Sequence, residues 1–94
     1  MNIVWSPAFS RNVKRLVRQS PQMTEAIAKT LQQLSEDAYH PSLKTHKLKG
    51  NLDGVWSCSI DYNNRILFRF IPASEENEEE EILLLTLGSH DDVY

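Results

Sequence analysis

Residues 54–71, GVWSCSIDYNNRILFRFI, decide the fold of this chain. Residues 54–60 and 65–71 alternate apolar and polar side chains, as strands with one buried face do. Residues 61–64, DYNN, form a turn signal between the two runs. The stretch therefore predicts an antiparallel β-hairpin. Its expected core face consists of Trp56, Cys58, Ile60, Ile66, Phe68 and Phe70.

Upstream of this hairpin the apolar spacing is helical. A short strand at residues 3–5 is followed by Ser6-Pro7, a helix-start signal. Ser20-Pro21 repeats the signal and predicts a second helix that ends near Ala38, before Pro41. The short break between the helices predicts an antiparallel helical hairpin. The expected apolar faces are Phe9, Val13, Leu16 and Val17 in the first helix, and Met23, Ile27, Leu31, Leu34 and Ala38 in the second.

The last predicted strand is the apolar run at residues 82–87. It follows residues 75–81, which hold six glutamates and read as a solvated hairpin loop. The order of elements predicts one α+β domain over residues 1–94. An N-terminal strand leads into a helical hairpin, which packs on a mainly antiparallel sheet of three to four strands.

The net charge of −3 comes from one acidic segment, and the rest of the chain has a net positive charge. Outside residues 75–81 the chain carries ten basic and seven acidic residues. Such a surface can hold a phosphate backbone, and Lys44, Lys47 and Lys49 are the expected RNA-binding lysines. The same cations can also be no more than solvated helix faces. The acidic loop would repel RNA, so we expect it to point away from any RNA site.

Several classes of protein are disfavoured by the sequence. The single cysteine, Cys58, allows no internal disulfide and reads as a buried structural thiol. No apolar run is long enough to span a bilayer, and the N-terminus does not resemble a signal peptide, so a cytoplasmic location is expected. We expect no metal and no small-molecule cofactor, because the sequence contains neither a metal-ligand motif nor a glycine-rich phosphate loop.

Two histidines suggest RNA cleavage without a metal. That reaction needs a base for the 2′-hydroxyl, an acid for the leaving 5′-oxygen and a cation for the phosphate. His46 and His90 are the candidate acid and base, in either order. Arg65, at the start of a strand, is the candidate phosphate clamp. Tyr94 could stack on a base or position a proton.

Each of these residues also has a plainer interpretation. Both histidines can be ordinary surface residues, and Arg65 can form an ion pair with Asp61. Tyr94 can simply pin the tail to the sheet. Asp61 either accepts a hydrogen bond from an imidazole, as a catalytic accessory, or only shapes the turn.

Three motifs give the chain a family resemblance over nearly its whole length: HKLKG at 46–50, YNNRILF at 62–68 and GSHDDVY at 88–94. In this order the chain resembles RelE/ParE-superfamily toxins of bacterial type II toxin–antitoxin systems, and is most similar to the YafQ-type mRNA interferases. His46 matches the histidine of the family's His-x-Leu-x-Gly segment. His90 matches that of its Gly-Thr-His tail, with Ser89 in place of threonine. Tyr94 matches the terminal aromatic residue, and Arg65 a phosphate-clamping arginine.

The resemblance implies a ribosome-dependent endoribonuclease that cleaves mRNA in the A site and is neutralised by a cognate antitoxin. Some YafQ-type toxins carry a further histidine where this chain has Ser59-Ile60-Asp61, and an aspartate where it has Asn63 or Asn64. Two alternatives therefore stay open. One is a ParE-like toxin that blocks a protein target such as gyrase, and the other is a degenerate toxin that only binds an antitoxin.

Overall fold

The computed structural model describes residues 1–89, apart from the side chain of Asn51, and this part of the chain folds into two helices and five strands. In chain order they are β1 (Asn2–Trp5), α1 (Pro7–Gln19), α2 (Met23–Glu36), β2 (His46–Lys47), β3 (Trp56–Ser59), β4 (Asn64–Ile71) and β5 (Glu81–Ser89). Short 3-10 turns occur at Pro41–Leu43 and Gly50–Leu52.

The strands form one mixed sheet in the order β1-β5-β4-β3-β2. β1 runs parallel to β5, and the other neighbours are antiparallel. The predicted α+β architecture is confirmed, and the sheet is wider than the predicted three to four strands. The extra strand, β2, has only two residues, which is too short to produce a recognisable alternation in sequence.

Ser6 joins the start of α1 to the sheet. Its hydroxyl accepts a hydrogen bond from the backbone N–H of Phe9 at 3.0 Å, as an N-cap does. The same hydroxyl donates to the backbone carbonyl of Leu85 at 3.1 Å. The Ser6 backbone N–H also donates to the carbonyl of Leu84 at 3.2 Å. The predicted start signal of α1 is therefore confirmed, and it also binds the helix to β5.

The predicted cap of α2 is wrong. Ser20 is the C-cap of α1, and its backbone N–H donates to the carbonyl of Leu16. α2 begins at Met23, after a turn in which the Met23 N–H donates to the Ser20 carbonyl at 2.9 Å. The Ser20-Pro21 pair therefore lies at the end of α1. The chain reverses direction in the turn that follows, and α2 starts only after this turn.

The main core lies between the helices and one face of the sheet. Trp5 packs edge-on against Phe9, with ring centroids 4.9 Å apart. Cys58 is buried there, and this burial raises the pKa of its thiol to about 12, against the opposing charge of Arg65. The thiol therefore stays protonated, as a structural cysteine does. Other members of the core are Phe9, Ile27, Leu34, Ala38, Leu43, Ile66, Phe68, Ile82, Leu84 and Leu87.

A register shift in β5 decides which residues face this core. Phe68 pairs with Leu84, but Leu67 pairs with Thr86, so Leu85 is an extra residue between them. An extra residue reverses the alternation of faces along a strand. Leu84 and Leu87 consequently share the helix-covered face, whereas Thr86 lies on the opposite face.

None of the helices within residues 1–89 is long and apolar enough to cross a membrane.

We expect Ser6→Ala to lower the free energy of unfolding by about 1–2 kcal/mol, because it removes an N-cap and a hydrogen bond to β5. A domain of this size would then melt roughly 4–15 °C lower. Thermal unfolding followed by circular dichroism measures the change. Ser35→Ala is the matched control, since the Ser35 hydroxyl bonds only to the Gln32 carbonyl one turn earlier in the same helix. Equal losses in the two variants would contradict the role given to Ser6.

Candidate functional site

The sheet face opposite the helices brings His46 and Arg65 together. Residues paired across neighbouring strands point to the same face. His46 pairs with Ser57. Ser57 pairs with Leu67, and Leu67 with Thr86, so these side chains form one row across four strands. The next row on the same face contains Ser59, Arg65 and Gly88.

The two candidate residues are separated by two strand spacings and two residues along the strands. Strand geometry gives about 10 Å across and about 7 Å along the sheet between the backbones of His46 and Arg65. Both side chains are long enough to approach a group bound between them. The sheet surface between His46 and Arg65 is tightly packed, because Ser57 is buried and Leu67 is only 6% exposed.

The hydrogen bond of His46 defines its tautomer. The ring is exposed, and Nδ1 lies 3.0 Å from the backbone carbonyl of Lys44. A carbonyl oxygen can only accept, so Nδ1 carries the proton and the neutral ring has its lone pair on Nε2. Thr45 supports this segment from the other side, because its hydroxyl donates to the carbonyl of Ala38 at 2.6 Å. The arrangement presents Nε2 of His46 as a proton acceptor.

Asp61 shapes the turn between β3 and β4. Its Oδ1 accepts from the backbone N–H of Asn63 at 2.9 Å and of Asn64 at 2.8 Å. The side-chain amide of Asn64 donates to the same oxygen at 3.1 Å. This is the turn-shaping role that the sequence offered as one of two interpretations. No bond from an imidazole to Asp61 occurs among residues 1–89.

The guanidinium of Arg65 is held against this turn. Nη1 donates to the backbone carbonyl of Asp61 at 2.6 Å and to that of Asn64 at 3.2 Å. The contact with Asp61 is therefore to its backbone, where the sequence suggested an ion pair with its carboxylate. Nε and Nη2 of Arg65 make no hydrogen bond within residues 1–89. A guanidinium anchored through one nitrogen keeps its other N–H groups for an anion.

The predicted RNA-binding lysines do not share one face. Lys44, Lys47 and Lys49 are all exposed. Lys47 pairs with Trp56, so it lies on the sheet face opposite to His46. Lys44 adopts a left-handed backbone, with φ 51°, and its carbonyl receives the His46 bond. The lysines thus surround β2 instead of lining a single groove.

The end of β5 lies directly beside Arg65. Gly88 pairs with Arg65, and Ser89 pairs with Asn64. The predicted site residues His90 and Tyr94 follow Ser89 and lie outside the described residues.

Asn12 of α1 was not singled out by the sequence, yet its side-chain oxygen accepts from the backbone N–H of Leu87 at 3.0 Å. A groove of about 200 Å³ beside it also contains Arg15, Gln19, Asn64 and Ser89. No sequence motif marks this neighbourhood, and Arg15 is one of the ten basic residues outside residues 75–81.

No group of three His, Cys, Asp or Glu side chains within residues 1–89 is placed to hold a metal ion.

A second surface feature lies between the helices. Trp5 is 45% exposed and Val4 is 40% exposed at the edge strand β1. Trp5 continues into a groove of about 210 Å³ between α1 and α2. The groove is lined by Trp5, Val13, Val17, Thr24, Ile27, Ala28 and Leu31. Apolar surface of this kind is typical of a protein-binding site.

The fold and the sequence both match known toxins. A family model described as "Bacterial toxin of type II toxin-antitoxin system, YafQ" matches residues 1–94. A YoeB/ParE toxin from Agrobacterium tumefaciens has a similar structure, with a TM-score of 0.77 and 21% identity over 96% of this chain and 99% of that one. YafQ from E. coli gives a TM-score of 0.76 and 14% identity over 99% and 97%.

A third solved structure is a heterotetrameric YoeB-YefM toxin-antitoxin complex from Staphylococcus aureus. It gives a TM-score of 0.69 and 23% identity over 96% of this chain and 97% of that one. No curated protein sequence matches the chain. The structural likenesses establish the fold, and the family match spans every residue. The chain therefore belongs to the YafQ family of toxins of bacterial type II toxin–antitoxin systems.

Proposed function

We propose that this toxin is a metal-independent endoribonuclease that cleaves mRNA on the ribosome and is neutralised by a cognate antitoxin. The observation that carries the proposal is the placement of His46 and Arg65 on one sheet face, with Nε2 of His46 presented as a proton acceptor. A base and a cation on one surface are the parts that 2′-hydroxyl attack on a phosphodiester requires.

In the proposed reaction, His46 Nε2 takes the proton of the 2′-hydroxyl. The 2′-oxygen attacks the phosphorus, and the bond from phosphorus to the 5′-oxygen breaks. His90 protonates the leaving 5′-oxygen. The products are a 2′,3′-cyclic phosphate and a 5′-hydroxyl end.

Arg65 stabilises the negative charge that builds on the phosphate during this attack. Its anchoring to the Asp61 carbonyl supports this role, because a held guanidinium loses less conformational entropy on binding. Asp61 acts through the turn that holds Arg65. We assign the role of acid to His90 because it directly follows Ser89 in the sequence, and Ser89 pairs with Asn64, the neighbour of Arg65. Tyr94, four residues further on, would stack on a base or orient a proton.

The charge distribution supports an RNA substrate. α1 exposes Arg11, Lys14, Arg15 and Arg18. The acidic residues 75–81 join the opposite end of β4, six residues along the strand from Arg65, or about 20 Å. We infer that the ribosome and its mRNA approach the Arg65 end, with Lys44, Lys47 and Lys49 contacting phosphates on both sides of the edge strand β2. Repulsion keeps the acidic loop turned away.

For the cognate antitoxin, we propose the apolar groove between α1 and α2 as a docking site. Lys14 and Arg18 are exposed on the same two turns of α1 that carry the groove residues Val13 and Val17, so positive charge lies near the apolar lining. A partner segment that pairs apolar side chains with acidic ones would complement both parts. The YoeB–YefM complex shows that a relative of this fold forms an assembly with an antitoxin.

We expect His46→Ala to reduce the rate of mRNA cleavage by about 10²- to 10⁴-fold, the usual contribution of a general base. The toxin is expressed in bacteria without antitoxin, and new 5′-hydroxyl mRNA ends are mapped across the genome. His40→Ala is the matched control, since His40 bonds to Ser42 in the 3-10 turn and has no part in the proposed reaction. Cleavage by His46→Ala at the wild-type rate would exclude His46 as the base.

The same experiment separates the alternatives. New 5′-hydroxyl ends within translated frames support the proposal. Growth arrest with intact mRNA points instead to a toxin that blocks a protein target such as gyrase. Absence of both arrest and cleavage points to a degenerate toxin.

Replacing Arg65 by lysine keeps the positive charge but removes the planar guanidinium. We expect Arg65→Lys to lower kcat on ribosome-bound mRNA by at least about tenfold, because an ammonium cannot bind the phosphate in bidentate fashion. Single-turnover cleavage measures the effect. Arg69→Lys, on the same strand and exposed, is the matched control. If both variants lose the same activity, the loss is not specific to the guanidinium of Arg65, and the clamp role is wrong.

We expect Ala28→Glu to weaken antitoxin binding by at least about tenfold, because it places an unpaired charge in the apolar groove. Ala28 is exposed, so the fold and RNA cleavage should remain intact. Titration calorimetry with the purified antitoxin measures the affinity. Gln22→Glu is the control, since it adds the same charge at the start of the same helix, outside the groove lining. Unchanged affinity in Ala28→Glu would rule out this docking site.

A further inference from the structure

Tyr62 stands at the tip of the turn between β3 and β4. Its side chain is 90% exposed, more than Met1, Val4, Trp5 and Tyr39, the other exposed large apolar side chains of residues 1–89. A tyrosine with so little burial contributes almost nothing to folding. The turn itself does not need an aromatic residue at this position.

The backbone that carries Tyr62 is held on both sides. Asp61, the preceding residue, accepts hydrogen bonds from the backbone N–H groups of Asn63 at 2.9 Å and Asn64 at 2.8 Å. These bonds close a loop around Tyr62. A tyrosine side chain has only two torsions to restrict, so a ring on such a support binds with a small entropic penalty.

The same turn carries the proposed phosphate clamp. Nη1 of Arg65 donates to the Asp61 carbonyl at 2.6 Å, so Asp61 holds both the guanidinium and the backbone turn that carries Tyr62. Asn64, two residues after Tyr62, pairs with Ser89 at the end of β5. Tyr62 therefore lies at the same end of the sheet as the proposed cleavage site.

The surroundings favour RNA over a protein partner. Asp61, Asn63 and Asn64 are all polar, so Tyr62 has no apolar neighbours on the turn with which to form the core of a protein interface. A base needs only one ring face for stacking, and stacking tolerates polar surroundings. The carboxylate of Asp61 is turned toward the turn itself, where it accepts hydrogen bonds from three N–H donors.

We propose that Tyr62 stacks on an unpaired RNA base next to the phosphate that Arg65 holds. This inference rests on the proposed function, because it requires RNA at the Arg65 end of the sheet. Tyr62 is a positioning residue: it takes no part in proton transfer, and it sets where the nucleotide lies relative to the clamp.

The test compares Tyr62→Ala, Tyr62→Leu and Tyr62→Phe. One arm measures the Kd of a single-stranded RNA oligonucleotide carrying the fluorescent base 2-aminopurine. The other arm measures kcat/KM on ribosome-bound mRNA. Stacking predicts a loss of about 5- to 100-fold in Tyr62→Ala and Tyr62→Leu, and near-complete rescue in Tyr62→Phe. The matched control is Tyr39→Leu, since Tyr39 stacks on Phe70 near the other end of β4.

The outcomes separate the inference from the function on which it rests. Losses in both arms identify a base of the mRNA, and a loss only on ribosomes identifies a base of ribosomal RNA. If Tyr62→Leu behaves as wild type in both arms while Arg65→Ala loses binding, the stacking inference is wrong and the proposed nuclease stands. If Tyr62→Ala weakens only antitoxin binding, Tyr62 is a protein contact. If the wild type neither binds nor cleaves RNA, the proposed function fails, and the stacking inference with it.

Discussion

The extra residue in β5, Leu85, is the constraint on which the arrangement of this protein depends. β5 pairs with β4 on one side and with β1 on the other, so both edges of the strand are committed. Before the shift, Ile82 and Leu84 bury their side chains beneath the helices, and after it Leu87 does so. Without the shift, Leu87 would move to the open face and Gly88 to the core. The hydroxyl of Ser6 bonds to the carbonyl of Leu85, which supports the irregular position directly.

The two faces of the sheet have different roles: one packs against the helices to form the core, and the other carries His46 and Arg65 of the proposed site. On the helix-covered face, burial keeps the Cys58 thiol protonated, with a pKa of about 12, and therefore unreactive. On the opposite face, His46 is exposed and its Nδ1 is engaged by a carbonyl, which leaves Nε2 as the acceptor. Because strand alternation assigns neighbouring residues to different faces, substitutions at the proposed site can alter activity with little effect on the core.

Charge is arranged along the sheet in a way that the net value of −3 conceals. The glutamates of residues 75–81 gather at one end of β4, and the turn that carries Tyr62 and Arg65 lies at the other. Among the exposed cations of α1, Arg15 borders the groove that also contains Asn64 and Ser89 at this second end. A molecule with separated charges orients in the field of a polyanion such as RNA, so the proposed mode of approach follows from the positions of the charges.

The sequence alone determined the order of all the helices and strands except β2, because a change of apolar period from helical to alternating is visible in one dimension. It also identified the Ser6 cap, the turn at residues 61–64 and the buried Cys58, all of which depend on local chemistry. The prediction that Ser20 caps α2 failed because the same Ser-Pro pair serves the end of one helix as readily as the start of another.

Tertiary structure alone decided the rest. The width of the sheet, the parallel pairing of β1 with β5 and the shift at Leu85 depend on contacts between residues far apart in the chain. Contacts of this kind also decide that His46 and Arg65 lie on one face of the sheet and that Lys47 lies on the other. A sequence shows which residues can carry out a reaction, whereas strand register decides which of them meet, because moving a strand by one residue transfers every side chain to the other face.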